Sequence, residues 1–257
     1  MMTSEIAGYL DELLSTSTVP DYPNALNGLQ LENSGKVTSV AAAVDYSLET
    51  VRKAAASKSD LLILHHGMFW SGLRPFVGAQ RAKLDILLRN DIAVYSSHIP
   101  LDLHAIFGNN VLLCRELGLT PSGGFAFFKG IPIGLCGESD VSTSDLVESA
   151  KAFARQHGGD VIAAGRPLHS AVTRKWGMCT GAGASSDTLA EAASAGIDTL
   201  IVGEGPHHTA VEASDLGITV IYAGHYATET LGVRALASHL GERFGMAVNV
   251  IDSPTGL

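Results

Sequence analysis

The sequence predicts an α/β protein built from two similar halves, 1–123 and 124–257, with partly parallel sheets flanked by helices. Three observations lead there. Short apolar runs recur along the whole chain, segments of helical period separate them, and one stretch of the first half reappears, weakly, in the second. Strands that alternate with helices make parallel pairs, because a parallel connection needs a crossover about the length of a helix.

Taken in order, the first element is a helix over about 3–16, where Ile6, Leu10 and Leu14 fall on one face. A strand follows at 38–43 (TSVAAA), a helix at about 47–58, and a strand at 60–64 (DLLIL) that is aliphatic after its first residue. The pattern continues with a helix at 78–90 and strands at 92–96 (IAVYS), 131–136 (IPIGLC) and 160–164 (DVIAA), the last two separated by a helix at 143–157. The remaining strands are expected at 176–180, 198–202, 218–222 and 246–251, and the remaining helices at 185–196, 206–216 and 226–244. Ser142 and Thr143 before DLVESAKAFARQ, and Ser185 and Ser186 before DTLAEAASA, are residue types that cap helix N-termini by accepting an amide hydrogen bond.

The repeat aligns VRKAAASKSDLLILHHG (51–67) with LAEAASAGIDTLIVGEG (189–205) without a gap, placing Asp60 over Asp198 and Gly67 over Gly205. A second block aligns AVYSSHIPLD (93–102) with VIYAGHYATE (220–229), so His98 falls on His225 and Asp102 on Glu229. The offset changes between the blocks, and the loop MFWSGLRPFVG of the first copy can supply the extra residues. Two copies of one unit imply a pseudo-twofold relation between the halves.

Composition narrows the function classes. The chain of 257 residues is 46% hydrophobic, enough to bury roughly three quarters of the surface of its unfolded form. A formal net charge of −9 and the lack of a Lys/Arg stripe argue against nucleic acid as a partner. Cys114, Cys136 and Cys179 show no Cys-x-x-Cys spacing and read as buried, reduced thiols. The N-terminal segment is acidic where a signal peptide is basic, and no apolar run approaches the roughly 20 residues of a membrane span. A cytoplasmic protein with no membrane partner is expected.

Chemistry concentrates in three segments that each follow an apolar strand: LLILHHG with His65 and His66, SSHIPLD with Asp102, and AGHYATE with His225 and Glu229. Successive strand residues point to opposite faces, so two adjacent histidines reach one place only where the strand ends and the chain turns, as Gly67 permits. His225 and Glu229 stand four apart at a helix start and share a face. Together these five residues suggest a site for two metals, in which three imidazoles and two carboxylates would leave coordination positions open. Nitrogen and oxygen donors without thiolate favour Fe, Mn, Zn, Co or Ni.

His98 and His104 flank Asp102, and Glu204 aligns with His66 in the repeat. His98 and Glu204 are the residues expected to move protons beside the metals. His207 and His208, just inside a helix, read as a solvated face. The turn CTGAGASSD (179–187) leads into a helix N-terminus that could hold an anion, although full phosphate-loop spacing is missing. No Gly-x-Ser-x-Gly occurs, and no Cys adjoins a His, so a side-chain nucleophile is not expected.

At these same residues the chain resembles the NIF-three-like family, often labelled GTP cyclohydrolase I type 2 homologs. The resemblance rests on NGLQ at 27–30, AVDYSLETV, LLILHHGMFW, SSHIPLDLHAIFGNN, TGAG and AGHYATETLGVRAL, spans nearly the whole chain, and is closest to the short bacterial form. It implies a three-layer α/β fold of two similar halves, a toroidal homohexamer, and two divalent metals in the cleft. Carried over residue by residue, it implies that His65, Asp102 and Glu229 bind one metal and His66, His225 and Glu229 the other. Many relatives have Pro at the position of Gly67 and Thr at that of Ile99, and neither departure removes a ligand. The implied activity is hydrolysis of a small molecule such as a purine nucleotide. The competing expectations are a non-catalytic metal-binding or adaptor protein, whose metals stabilise the assembly, and an anion- or nucleotide-binding regulator using the TGAG turn.

Overall fold

The computed structural model describes residues 1–168 and 171–257. In chain order the elements are α1 (Thr3–Leu13), β1 (Gly28–Leu31), β2 (Ser39–Asp45), α2 (Leu48–Ala56), β3 (Leu61–His66), α3 (Gly78–Arg89), β4 (Ala93–Ser96), α4 (Ile99–Asp102) and α5 (Asn109–Glu116). They continue with β5 (Gly123–Phe128), β6 (Ile131–Ser142), α6 (Thr143–Gln156), β7 (Ile162–Gly165), β8 (Val172–Cys179), α7 (Ser186–Ser194) and β9 (Thr199–Val202). The chain closes with α8 (His207–Leu216), β10 (Thr219–Tyr222), α9 (His225–Phe244) and β11 (Ala247–Val250). It divides into two compact units. The first holds Met1–Phe107 and Gly232–Ser253, the second Gly108–Leu231 and Pro254–Leu257.

The first unit is built on a mixed five-stranded sheet of order β1-β4-β3-β2-β11. β2, β3, β4 and β11 run parallel, and β1 is antiparallel to β4. Every residue of β3 is buried, as an unbroken aliphatic run requires when both faces of a strand are covered. Leu62 and Leu64 pack with Val51 and Ala54 of α2 and Leu87 of α3. Ser47 caps α2 by accepting the Thr50 amide at 2.9 Å.

The second unit has a mixed six-stranded sheet of order β5-β6-β8-β9-β10-β7. Side chains alternate across it with the strand period of two: Leu200, Val202 and Val220 pack with α7, whereas Ile201 and Ile221 join Trp176, Met178 and residues of α5 and α6. Ser142 and Ser185 cap α6 and α7, accepting the Asp145 and Thr188 amides at 3.4 and 3.1 Å.

The repeat read from the sequence is a repeat of topology. The succession α1-β1-β2-α2-β3-α3-β4 matches α6-β7-β8-α7-β9-α8-β10, and the strand orders β1-β4-β3-β2 and β7-β10-β9-β8 coincide. β7 is antiparallel to β10 as β1 is to β4, and the inner strands are parallel in both.

Four elements escape the periodicity reading: β1, β5, α4 and α5. β1 (GLQL) lacks a continuous apolar run, and β5 opens on two glycines, which read as a turn. α4 is a single turn holding Pro100 at a tolerated early position. β6 runs six residues beyond the expected 136, because its antiparallel pairing with β8 extends to Ser142 through an irregularity between Glu138 and Val141. Of the cysteines, Cys114 and Cys179 are buried as expected, but Cys136 on β6 is half-buried.

Candidate metal centre

In the first unit the histidine pair closes β3. His65 is fully buried and His66 only 6% exposed, with ring centroids 4.9 Å apart and planes tilted by 52°. Gly67 is required by close approach: a Cβ there would stand 2.4 Å from the Gln30 Oε1 and 2.6 Å from the Ser96 Cβ. The Gln30 amide clamps this turn, accepting from the Met68 N–H at 2.7 Å and donating to the carbonyls of Ala25 and Leu26 at 3.0 Å.

Hydrogen bonds assign the ring nitrogens. The His65 Nδ1 donates to the Ser97 carbonyl at 2.9 Å, which leaves Nε2 as the lone-pair nitrogen, 3.6 Å from an Asp102 carboxylate oxygen. The His66 Nδ1 donates to Asp45 at 2.8 Å. Such an outer acceptor fixes the tautomer and raises the basicity of the opposite nitrogen, the usual setting of a metal-binding imidazole.

His98 has the same setting. Its Nδ1 donates to Asp21 Oδ1 at 2.9 Å, and the other Asp21 oxygen accepts from the Ile99 amide at 2.9 Å and from the Asn27 side chain at 2.8 Å. The Asn27 Oδ1 in turn accepts the His98 amide at 2.8 Å. Burial pushes the Asp21 carboxyl up, but the hydrogen bond and charge of His98, with the Asn27 and Tyr22 hydrogen bonds, outweigh it and hold the group below the ordinary carboxylate range. Trp70 covers the cluster, its ring 4.3 Å from that of His98 and 4.8 Å from that of His66. His104 is turned elsewhere: its Nδ1 accepts the amides of Ile106 and Phe107, and its ring stacks on Phe107.

In the second unit α9 opens with His225 and brings Glu229 one turn later. The His225 Nδ1 meets Glu204 at 2.7 Å and its Nε2 meets Glu229 at 3.1 Å. Burial pulls this imidazole down, but the two carboxylates prevail and push it up to about 9. Glu229 is 3% exposed and lies against a glycine: a Cβ at Gly181 would fall 2.0 Å from its Oε1. Gly181, at positive φ, also donates its amide to Thr228 at 3.0 Å.

The TGAG turn therefore cradles a carboxylate. The Thr180 amide donates to the Asn110 side chain, the Gly181 amide to Thr228, the Gly183 amide to the Gly181 carbonyl, and the Ala184 amide just beyond the turn to the Glu204 carbonyl. A cavity of about 290 Å³ in this unit is lined by Glu204, His207, Tyr222, Asp160 and the glycines at 203, 205 and 224. His207 and His208 are exposed on the first turn of α8, the solvated face that their position predicts.

Each unit thus assembles part of the expected donor set: His65, His66 and Asp102 in the first, with His98 beside the two histidines, and His225 and Glu229 in the second. Sequence reasoning missed the residues that orient them. Asp45 and Asp21 are distant from the histidines in the chain, and Asp45 meets His66 only because β2 and β3 pair in register at those two residues. Asn27 and Gln30 lie within NGLQ, whose two amide side chains were the available signal.

The family described as Duf34/NIF3 (NGG1p interacting factor 3) matches residues 1–255. The chain belongs to this family. A Pyrococcus abyssi protein named GTP cyclohydrolase 1 type 2 homolog is 41% identical over 257 residues, covering all of both chains. A Deinococcus radiodurans protein of the same name is 36% identical over 260 residues, covering 98% of this chain and 94% of its own. Among solved structures, the protein ybgI, of unknown function, superposes with a TM-score of 0.88 at 33% identity over the whole of both chains. A Thermus thermophilus protein gives 0.82, also at 33% identity and full coverage. The mixed α/β architecture with two mixed sheets is thus shared with this family.

Proposed function

We propose that the protein binds two divalent metal ions and uses them to hydrolyse a small molecule. The proposed ligands are His65, His66, Asp102, His225 and Glu229, with Fe, Mn, Zn, Co or Ni as the ions. The observation that carries the reading is that the Nδ1 of His65, His66 and His225 each meets a carbonyl or carboxylate oxygen. That arrangement reserves Nε2 for a metal. Bound ions of this kind supply Lewis acidity and activate water near neutral pH.

The chain's own groups then have separable tasks. Glu204 orients His225 through Nδ1, and Asp45 does the same for His66. The cavity beside Glu204 is large enough for one small ring system, and its Tyr222 and Asp160 offer polar partners to a purine-like substrate, the class named by the relatives. The sequence casts both His98 and Glu204 as proton carriers. The contact of Glu204 with His225 favours an orienting task.

The test is anaerobic purification followed by metal analysis and a panel of purine nucleotides, amides and esters. Two metal equivalents per chain and turnover well above a His65→Ala/His66→Ala double variant are expected. Metal binding without turnover of any substrate would leave an adaptor whose ions stabilise the assembly. The ring of six implied by the family resemblance is proposed likewise, and light scattering should give about six times the chain mass.

A further inference from the structure

We propose that Lys83 and Arg74 form an oxyanion subsite in the first unit, which holds the phosphate group of a phosphorylated small molecule. The subsite rests on the hydrolase reading above and narrows its ligand class. It begins with an ammonium buried without a counter-ion. Lys83, on α3, is 7% exposed, and its Nζ donates to the Tyr46 carbonyl at 3.2 Å and lies 3.9 Å from the centre of the Tyr46 ring. Arg74 is exposed and donates through Nε to the Ser71 carbonyl at 3.4 Å. Among the described residues, neither cation belongs to an ion pair.

Buried charges are normally paired, because a carbonyl dipole and a ring face return only part of the hydration that burial removes. Burial, with the positive charge of Arg74, holds the Lys83 ammonium below the ordinary lysine range. An anion shared by the two cations relieves both effects at once. α3 adds to the same field, since its N-cap Val77 makes no side-chain cap and its first turn carries no acidic residue. Ammonium and guanidinium are also the groups that recognise phosphate best.

The location suits a ligand of the proposed site. Tyr46 follows Asp45, which accepts from the His66 Nδ1 at 2.8 Å, and the Tyr46 amide donates to the His66 carbonyl at 3.0 Å. The subsite therefore borders the imidazole end of β3. Extended backward without a gap, the second block of the repeat puts Lys83 over Ala210, which lines the cavity of the second unit. That cavity has Asp160 and Glu204 in its lining and no Lys or Arg among the described residues, so it offers a phosphate no permanent cation. Arg74 belongs to the loop MFWSGLRPFVG, which the second copy lacks. Both cations are thus departures of the first copy from the shared scaffold.

The experiment titrates GMP, guanosine and inorganic phosphate into metal-free full-length protein by calorimetry, so that no phosphate is held by an ion. GMP should bind at least about 10-fold more tightly than guanosine, the scale of one hydrogen bond to a charged group. The difference should shrink as salt rises, and inorganic phosphate should compete with GMP. Lys83→Met, which keeps an apolar stem over Tyr46, should reduce GMP to the affinity of guanosine. Arg74→Gln, on an exposed loop, should weaken GMP about 2–5-fold and leave guanosine unchanged. It also reads the proposal if Lys83→Met does not fold. A loss confined to the phosphorylated ligand separates anion binding from a purely structural tie between Lys83 and Tyr46.

Guanosine binding as tightly as GMP in the wild type, or GMP affinity unchanged in both variants, would overturn the subsite while leaving the metal-binding reading intact. Phosphate-selective binding lost in the variants, with no turnover by the metal-loaded wild type, would uphold the subsite and overturn the hydrolase reading alone.

Discussion

The two units share a scaffold and differ at its chemical end. At the start of the paired strands they are alike. Asp60 accepts the amides of Thr38 and Ser39 at 2.7 and 3.0 Å, and Asp198 accepts those of Arg174 and Lys175 at 3.0 and 3.2 Å, so the residue aligned by the repeat does the same work in both copies. At the far end the roles are exchanged. In the first unit the strand ends on an imidazole, His66, and the adjoining strand supplies the carboxylate, Asp45. In the second the strand is followed by a carboxylate, Glu204, and the imidazole, His225, comes from the helix. Where the first unit has Asp45, the adjoining strand of the second leads into Gly181, whose missing side chain makes room for Glu229. One architecture can thus hold a structural anchor constant while redistributing ligand and orienting group.

Breaking the anchors should give the largest stability effect. Asp60→Ala removes a carboxylate that also accepts the hydroxyls of Thr38 and Ser39, and should destabilise by about 3 kcal/mol in urea unfolding, given about 1.5–3 kcal/mol for hydrogen bonds to a charged group. If Asp198→Ala costs far less, the anchors are not equivalent. Burial raises the Asp60 carboxyl, but its hydrogen bonds from Thr38 and Ser39 prevail and leave it below the ordinary value. The folded form therefore holds the proton less tightly than the unfolded. The stabilisation is complete above the unfolded pKa and disappears as pH falls through the folded one. An Asp60→Asn variant should lose this part of the acid dependence between about pH 5 and 2.

At the chemical end, Gly181→Ala should cost about 1–3 kcal/mol by overpacking and weaken metal uptake, because the new methyl occupies the place of the Glu229 carboxylate. Thermal melting with and without metal checks both. Asp45→Asn and Glu204→Gln should each lower metal affinity about 10–100-fold. A loss in only one of them would show that the two orienting carboxylates are not counterparts.

The smallest effect is expected at Cys114. Burial pushes its thiol up to about 12, so alkylation in the native state at about pH 8 should be negligible while half-buried Cys136 reacts. Labelling of Cys114 at the same rate as Cys136 would show that the second unit opens readily.

The legible parts were those written in local patterns. β3 and β9 declared themselves by aliphatic runs, α6 and α7 by serine caps, and the histidine pair by standing where a buried strand must end. β1 and β5 were illegible because a strand without a continuous apolar run and a glycine-led strand are defined by their partners. His98 was visible as a residue but not as the neighbour of His65 and His66, since that needs the length of β4 and the turn into α4.

By itself the sequence determined the mixed α/β class, the internal repeat, and most of the residues with metal-binding chemistry, because periodicity and residue type act over a few positions. Only the tertiary structure decided that the last strand, β11, joins the sheet of the first unit, that Asp21 and Asp45 hold histidines far along the chain, and that the TGAG turn receives a carboxylate. Those outcomes depend on strand register and on a few ångströms of clearance at Gly67 and Gly181, and contacts between distant segments leave no periodic trace in the chain.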